Sequence, residues 1–250
     1  MIRGIYTGAA ALRAAAIQQN RVAHNLANLE TTGFKQILTV RQAYEAQQLG
    51  QFDEHYELRR PGIGPLENGL LVPEEIVDFA PGTMKLTDRP LDLAIWGEGF
   101  LRVQTPDGER YTRDGSLHRD SLGNLVTRDG FAILDQNGQP ITLPPGNINV
   151  GRNGGVFVNG EFVAQLGVVT SPSPEQFIPD NNNLFRNEDV QPLPPTDTHI
   201  LQGYLEASNV DESTQVVEMM RILRLYEANQ KTIQTQDRLL VELLGVGEVS

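Results

Sequence analysis

Residues 2–29 read IRGIYTGAAALRAAAIQQNRVAHNLANL, and residues 219–244 read MMRILRLYEANQKTIQTQDRLLVELL. In the first stretch Ile5, Ala9, Leu12, Ala16, Gln19, Ala23 and Leu26 recur at alternating steps of four and three. In the second, Met219, Ile222, Tyr226, Asn229, Ile233, Gln236, Leu240 and Leu243 do the same. This spacing predicts two helices, each with a narrow apolar seam, one at either end of the chain. A seam that narrow is not buried by one helix alone, so the ends need each other or other copies of the chain. Gln19, Asn229 and Gln236 occupy seam positions that would otherwise be apolar. They either fix register as buried amides or lie on partly solvated faces.

The chain has 250 residues, enough for a substantial core. Its 20 basic against 32 acidic residues give a net charge of −12. Nucleic acid is therefore not expected as a partner, since phosphate binding needs a concentrated basic surface. There is no cysteine, which removes disulfides and thiolate metal sites. No run approaches the ~20 apolar residues of a membrane span. Arg13 interrupts the Ala-rich stretch that resembles a signal peptide, and the seam continues past it to Leu26, so no cleaved signal is expected.

Between the helices the character changes. The first helix should run from about Ile2 to Leu29 and stop where Thr31, Thr32 and Gly33 follow; the closing helix should start near Ser208 or Asn209 and end near Leu244. Gln36 to Gly50 reads as amphipathic and partly helical, and Phe52 to Gly82 as a Pro- and Gly-punctuated connector. From Leu86 the period becomes two, with Asp107-Gly108, Asp114-Gly115, Gly123-Asn124, Asp129-Gly130, Asn137-Gly138, Gly154-Gly155 and Asn159-Gly160 dividing short apolar runs. Such pairs predict type I′ hairpins and hence a small β-domain or open barrel. Phe162 to Thr170 reads as the longest strand, Ser171 to Pro195 as loop, and Ile200 to Glu206 as the last strand. The expected class is α+β: a discontinuous coiled-coil domain of terminal helices (1–35 and 208–246), a connector (36–84) and a mainly-β domain of short antiparallel strands (85–207).

No catalytic, cofactor or metal site is expected. Neither Asp114 to Asn124 nor Asp120 to Asp129 has the ligand pattern of a calcium loop. His24, His55, His118 and His199 form no i,i+4 pair. Gly97-Glu98-Gly99 lacks the third glycine of a nucleotide fold, there is no Gly-x-Ser-x-Gly elbow, and nothing sets the separation of Glu98 from Asp107 or Asp114 for glycosidase chemistry.

His24-Asn25-Leu26-Ala27-Asn28 followed by Thr32-Gly33-Phe34-Lys35 resembles the N-terminal signature of the bacterial flagellar rod and hook proteins, with His24 in place of the commoner Asn or Ser. Arg89 to Ile95 with Gly97 to Phe100, Tyr111 to Ser116, Leu125 to Gly130, Asn183-Leu184-Phe185 and Gly203 to Val210 resemble later parts of that family in the same order. The resemblance implies a structural, non-enzymatic rod subunit of the flagellar basal body. Its terminal helices would pair and line a helical tube, with the β-domain outside. Its partners would be other copies of itself, neighbouring rod and hook proteins, and the flagellar export apparatus, which needs no cleaved signal. The passage Pro81-Gly82-Thr83-Met84 to Pro90-Leu91-Asp92 is similar to the proximal rod member, and Gln202 to Val210 nearly as similar to the distal one. Asn25, Asn28, Gly33, Phe34 and Asn209, with Ile5, Leu12, Gln19, Leu26 and the closing-helix seam from Met219 to Leu243, are then the expected assembly interface. A secreted carbohydrate-binding or hydrolytic module dimerised by its ends is the alternative from another class; an adhesin or phage-tail component shares the coiled ends but leaves the ordered motifs unexplained.

Overall fold

A computed structural model describes residues 2–40, 47–52, 58–66, 74–171, 176–187, 190–192 and 198–247. The class is α+β: helix α1 (Ile2–Ala27) and helix α2 (Glu212–Gly247) lie at the two ends of a series of short antiparallel strands. Two compact units divide the chain. One contains residues 1–26, 37–76 and 212–250, and the other residues 27–36 and 77–211. No described helix is long and apolar enough to cross a membrane.

In the helical unit α1 and α2 run antiparallel. Asn25 near the end of α1 reaches Gln215 near the start of α2, Ala15 and Val22 pack with Ile222, and Gly8 lies against Ile233. Gly8 permits that approach, because a Cβ there would stand 2.9 Å from Cγ1 of Ile233. The unit also holds strands where the sequence suggested part of a helix and a connector. Ile37–Val40 pairs with Glu74–Val77, and Gln47–Phe52 pairs with Leu58–Leu66 across two register shifts. Glutamine is a good helix former, so here cross-strand pairing overrides local propensity. Residues 41–46, within the expected helical stretch, lie outside the described residues. Helix α2 opens at Glu212, four residues beyond Ser208, whose Oγ instead accepts a hydrogen bond from the Val210 amide at 3.3 Å.

The second unit is built on a nine-stranded sheet in which Phe100–Thr105 is central. That strand pairs with Gly108–Thr112, Ala132–Ile133 and Val168–Thr170. A three-stranded sheet (Ile148–Val150, Gly155–Val158, Glu161–Gln165) and two strand pairs, His199–Gln202 with Leu93–Trp96 and Tyr204–Glu206 with Met84–Leu86, complete it. Leu93, Leu101, Val103, Ile133 and Leu143 form the centre of its aliphatic core. Phe79, Phe100, Tyr111, Phe177 and Phe185 form a second, aromatic cluster, with Phe100 and Phe177 centroids 4.2 Å apart. Burial there, with the Glu109 charge beside it, pushes the Tyr111 hydroxyl up to about 12.

Three strand expectations change in detail. The run from Phe162 is broken at Gly167, the last strand is broken at Gly203 (φ 79°), and short strands Ile178–Pro179, Phe185–Arg186 and Gln191–Pro192 occupy the expected loop. Of the seven turn pairs only Asn159-Gly160 has both residues at positive φ, 53° and 86°, as a type I′ turn requires. Elsewhere a carboxylate organises the turn from its own side chain. Asp120 Oδ1 accepts from the amides of Leu122 and Asn124, and Asp135 Oδ1 from those of Asn137 and Gln139. Gly115 serves a different need: a Cβ would lie 1.6 Å from the Leu93 carbonyl oxygen, whose residue's own amide donates to the Gly115 carbonyl. Gly115→Ala should therefore destabilise the protein by about 2–4 kcal/mol in urea unfolding followed at Trp96, well above the ~1 kcal/mol of an ordinary substitution.

Candidate functional site

The densest polar construction in the β-unit gathers four separate segments: residues 31–36, 78–82, 113–114 and 206–209. Glu206 is its centre. Its side chain is almost wholly buried. Oε1 accepts from Lys35 Nζ at 2.6 Å and from the Gly82 amide at 2.9 Å, and Oε2 from an Arg113 Nη at 3.2 Å. Lys35 Nζ also donates to the Ala80 carbonyl at 2.9 Å. The Arg113 guanidinium reaches the carbonyls of Ile95 and Gly97 and lies 5.3 Å from the centre of the Phe100 ring. Burial pushes both the Lys35 and Arg113 pKa values below their usual ranges, and the Glu206 charge opposes that shift in each.

Backbone contacts tighten the same place. The Gly33 amide donates to the Glu206 carbonyl at 2.8 Å, and a Cβ on Gly33 would lie 2.4 Å from the Arg113 carbonyl. At Gly82 a Cβ would lie 1.9 Å from the Ala207 carbonyl oxygen. Asn209 makes a three-way tie: Oδ1 accepts from the Gln36 amide at 2.7 Å, and Nδ2 donates to the carbonyls of Asp78 and Ala80. Thr32 Oγ1 donates to Asp114 Oδ1 at 2.5 Å, and its carbonyl accepts from Asn183 Nδ2 at 2.9 Å. Burial pushes the Asp114 carboxyl up, against the hydrogen bonds from Thr32 and Ser116. Residues 31–36 follow α1 in the chain and residues 206–209 precede α2, so this clamp fixes the sequence neighbours of both helices to one piece of β-structure.

In the helical unit Asn25 is buried and takes both polar groups of one residue. Its Nδ2 donates to the Ile37 carbonyl at 2.9 Å and its Oδ1 accepts from the Ile37 amide at 3.0 Å. Asn28, in the β-unit, accepts from Thr31 Oγ1 at 3.0 Å. On α2, Met219, Ile222 and Tyr226 of the expected seam pack with α1 and Ile233 lies against Gly8, Asn229 and Gln236 are half-buried, and Gln215, ahead of the expected seam, meets Asn25. On α1 the contact is displaced by one residue. Gly8, Ala15, Gln18, Val22 and Asn25 are buried, whereas Leu12, Gln19 and Leu26 are only half-buried and Ala9, Ala16 and Ala23 exposed. One residue is a 100° turn of the helix. The displaced row sets Gly8 against Ile233 and packs Ala15 and Val22 with Ile222. Asn229 Nδ2 and Gln236 Oε1 are both withdrawn from solvent without a hydrogen-bond partner. The side chains of Ile5, Leu240 and Leu243 lie outside the described residues.

Gly33, Phe34 and Asn209 come together in the clamp, but its charged members Lys35, Arg113 and Glu206 were not singled out from the sequence as a set. The available signal was a charge inside an apolar segment, Lys35 after Gly33-Phe34 and Glu206 after Tyr204-Leu205. Sequence alone does not tell a buried charge from a solvated one.

Residues 5–35 match the family described as flagella basal body rod protein, residues 94–158 the flagellar hook protein FlgE/F/G D1 domain, and residues 201–245 the flagellar basal body rod FlgEFG protein C-terminal. The chain is 37% identical over 233 residues to the flagellar basal-body rod protein FlgF of Caulobacter vibrioides, covering 90% of each chain. It is 31% identical to FlgG of Buchnera aphidicola subsp. Schizaphis graminum over 97% of this chain and 99% of that one. FlgG of Bacillus subtilis is 29% identical over 98% and 99%. The first and last matched regions end at Lys35 and include Glu206 and Asn209, the residues that meet in the clamp.

Two outcomes test the clamp. Glu206→Gln leaves Lys35 and Arg113 buried without their anion and should cost about 3–5 kcal/mol in urea unfolding, with the loss persisting in 1 M salt because the group is shielded from solvent ions. Asp114→Asn should gain on the wild type as pH rises. A carboxyl whose folded pKa lies above its unfolded value supplies its stability below the unfolded value and loses it as pH climbs through the window between the two. The wild-type-minus-variant difference in melting temperature should therefore fall between pH 3.5 and pH 7; a flat difference would refute the assignment.

Proposed function

This chain belongs to the flagellar basal-body rod protein family, and on that premise we propose how its structure serves the rod. It is a structural subunit of the bacterial flagellar basal body. In the proposed reading it performs no chemistry. The terminal helices polymerise with those of other copies and of neighbouring rod and hook proteins into a helical tube. The observation that carries this is the pairing of α1 with α2 across almost the full length of the chain, together with a buried clamp that ties the sequence neighbours of both helices into the β-unit. A load applied to either helix then reaches folded β-structure within a few residues.

Separation of the helices in sequence means that closing them costs loop entropy. The pair buries few large side chains, so its order depends on what neighbours add. That fits passage through the flagellar export apparatus before assembly. The proximal position is the narrower proposal. It is supported by the likeness of residues 81–92 to proximal rod members and by 37% identity to a FlgF, against 31% to one FlgG and 29% to another.

Purified wild-type chain seeded with basal-body fragments should sediment as short rods, and its gene should restore swimming to a strain lacking the corresponding subunit. Ile222→Asp and Leu12→Asp should abolish both while Trp96 fluorescence still reports a folded β-unit. Normal rods from Ile222→Asp, or a saturable glycan turned over or bound by the wild type, would instead favour a secreted module dimerised by its ends.

A further inference from the structure

Residues 31–36 lie in the β-unit without helping to build its interior. Among the described residues, its aliphatic core and its aromatic cluster are drawn wholly from positions 77–200. The surface on which 31–36 rests is also knitted without them. Tyr204–Glu206 pairs with Met84–Leu86, and Arg113 joins Glu206 to the carbonyls of Ile95 and Gly97. The Gly82 amide reaches Glu206, and Asn209 Nδ2 reaches the carbonyls of Asp78 and Ala80. In that body Glu206 meets Arg113 one to one, so the buried carboxylate has a counter-charge before Lys35 is added.

What 31–36 contributes is almost all long-range and polar. Phe34 is its single large apolar side chain. Lys35 bonds to Ala80 and Glu206, Thr32 to Asp114 and Asn183, and Gln36 to Asn209. Partners so distant in sequence carry the largest loop-closure cost, and their contacts form on structure already in place. Lys35 gives up water when it is buried there, which pushes its pKa down against the pull of Glu206. Gly33 sets a steric condition as well. Its amide reaches the Glu206 carbonyl at 2.8 Å, and a Cβ on it would stand 2.4 Å from the Arg113 carbonyl, so bare backbone alone fits.

Resting on the reading that the chain is a rod subunit, we propose that residues 31–36 form a strap that closes on the folded body 77–211 as a separate, later event, and that its closure gates assembly. The strap opens without unfolding the body, because both cores and the Arg113–Glu206 pair remain behind. Helix α1 ends at Ala27, four residues before the strap begins. With the strap open, the chain between that helix and the body is unanchored, and a subunit whose first helix is unplaced is not incorporated.

Hydrogen exchange on the full chain in rising urea separates the two events. Below the unfolding midpoint the amides of Gly33 and Gln36 should exchange about tenfold or more faster than those of Phe100–Thr105, and the two sets should converge at the midpoint. Gly33→Val should hold the strap open: the Gln36 amide exchanges fast without urea, Trp96 still reports a cooperative unfolding transition, and seeded assembly falls about tenfold or more. Strap and strand amides exchanging together at every urea concentration would overturn the proposal. So would a Gly33→Val chain that loses the Trp96 transition, or one that assembles as the wild type does. A wild-type chain that stays monomeric under seeding would overturn the rod-subunit reading and the gating with it, while the exchange rates would still decide whether the strap opens by itself.

Discussion

A carboxylate taken out of water at Glu206 is the constraint on which the β-unit's junction depends. Burying such a charge is unfavourable unless its lone pairs are filled, and here they are filled from three directions, by Lys35, Arg113 and the Gly82 amide. Each donor belongs to a different segment, so none moves without leaving the carboxylate short of a partner. The surrounding glycines follow from the same crowding: Gly33 and Gly82 sit where a methyl group would meet a carbonyl. Two cations against one anion leave the cluster electropositive, and the Phe100 ring and the carbonyls of Ile95, Gly97 and Ala80 take up the remainder. Such an arrangement confers a unique geometry more than net stability.

The helical unit rests on a different principle. Its contact is thin, made of Gly8, Ala15 and Val22 against Ile222 and Ile233 with Met219 and Tyr226 at the margin. Close approach substitutes for side-chain bulk, as small residues allow backbones to come together. A pair held this lightly suits a protein that completes itself by assembly.

Much of this could be read from the residues. Two terminal helices, the α2 seam and the strand-and-turn middle follow from periodicity and from Asn-Gly and Asp-Gly pairs. The phase of α1 did not follow, because the row from Ala9, with Leu12 and Leu26, is the more apolar, whereas the partner helix takes the row from Gly8, where the missing side chain admits Ile233. Turn type was misjudged for a related reason: Asp120 and Asp135 satisfy turn amides with their own oxygens, a contact that does not need positive φ at both residues. Strands at Ile37–Val40 and Gln47–Phe52 stand where the amphipathic, Gln-rich sequence read as partly helical, because strand pairing overrides the local pattern. The clamp was visible as motifs but not as a set, since Lys35 and Glu206 are separated by most of the chain.

Asn25 shows how narrow one position can be. Its amide matches, donor to acceptor and acceptor to donor, both groups of Ile37, so it behaves as a single-residue imitation of a neighbouring strand. Hydrolysis of that amide to the isosteric carboxylate would keep the shape and lose the donor, setting an oxygen against the Ile37 carbonyl. An aspartate at this position would therefore set electrostatic repulsion at the end of the first helix.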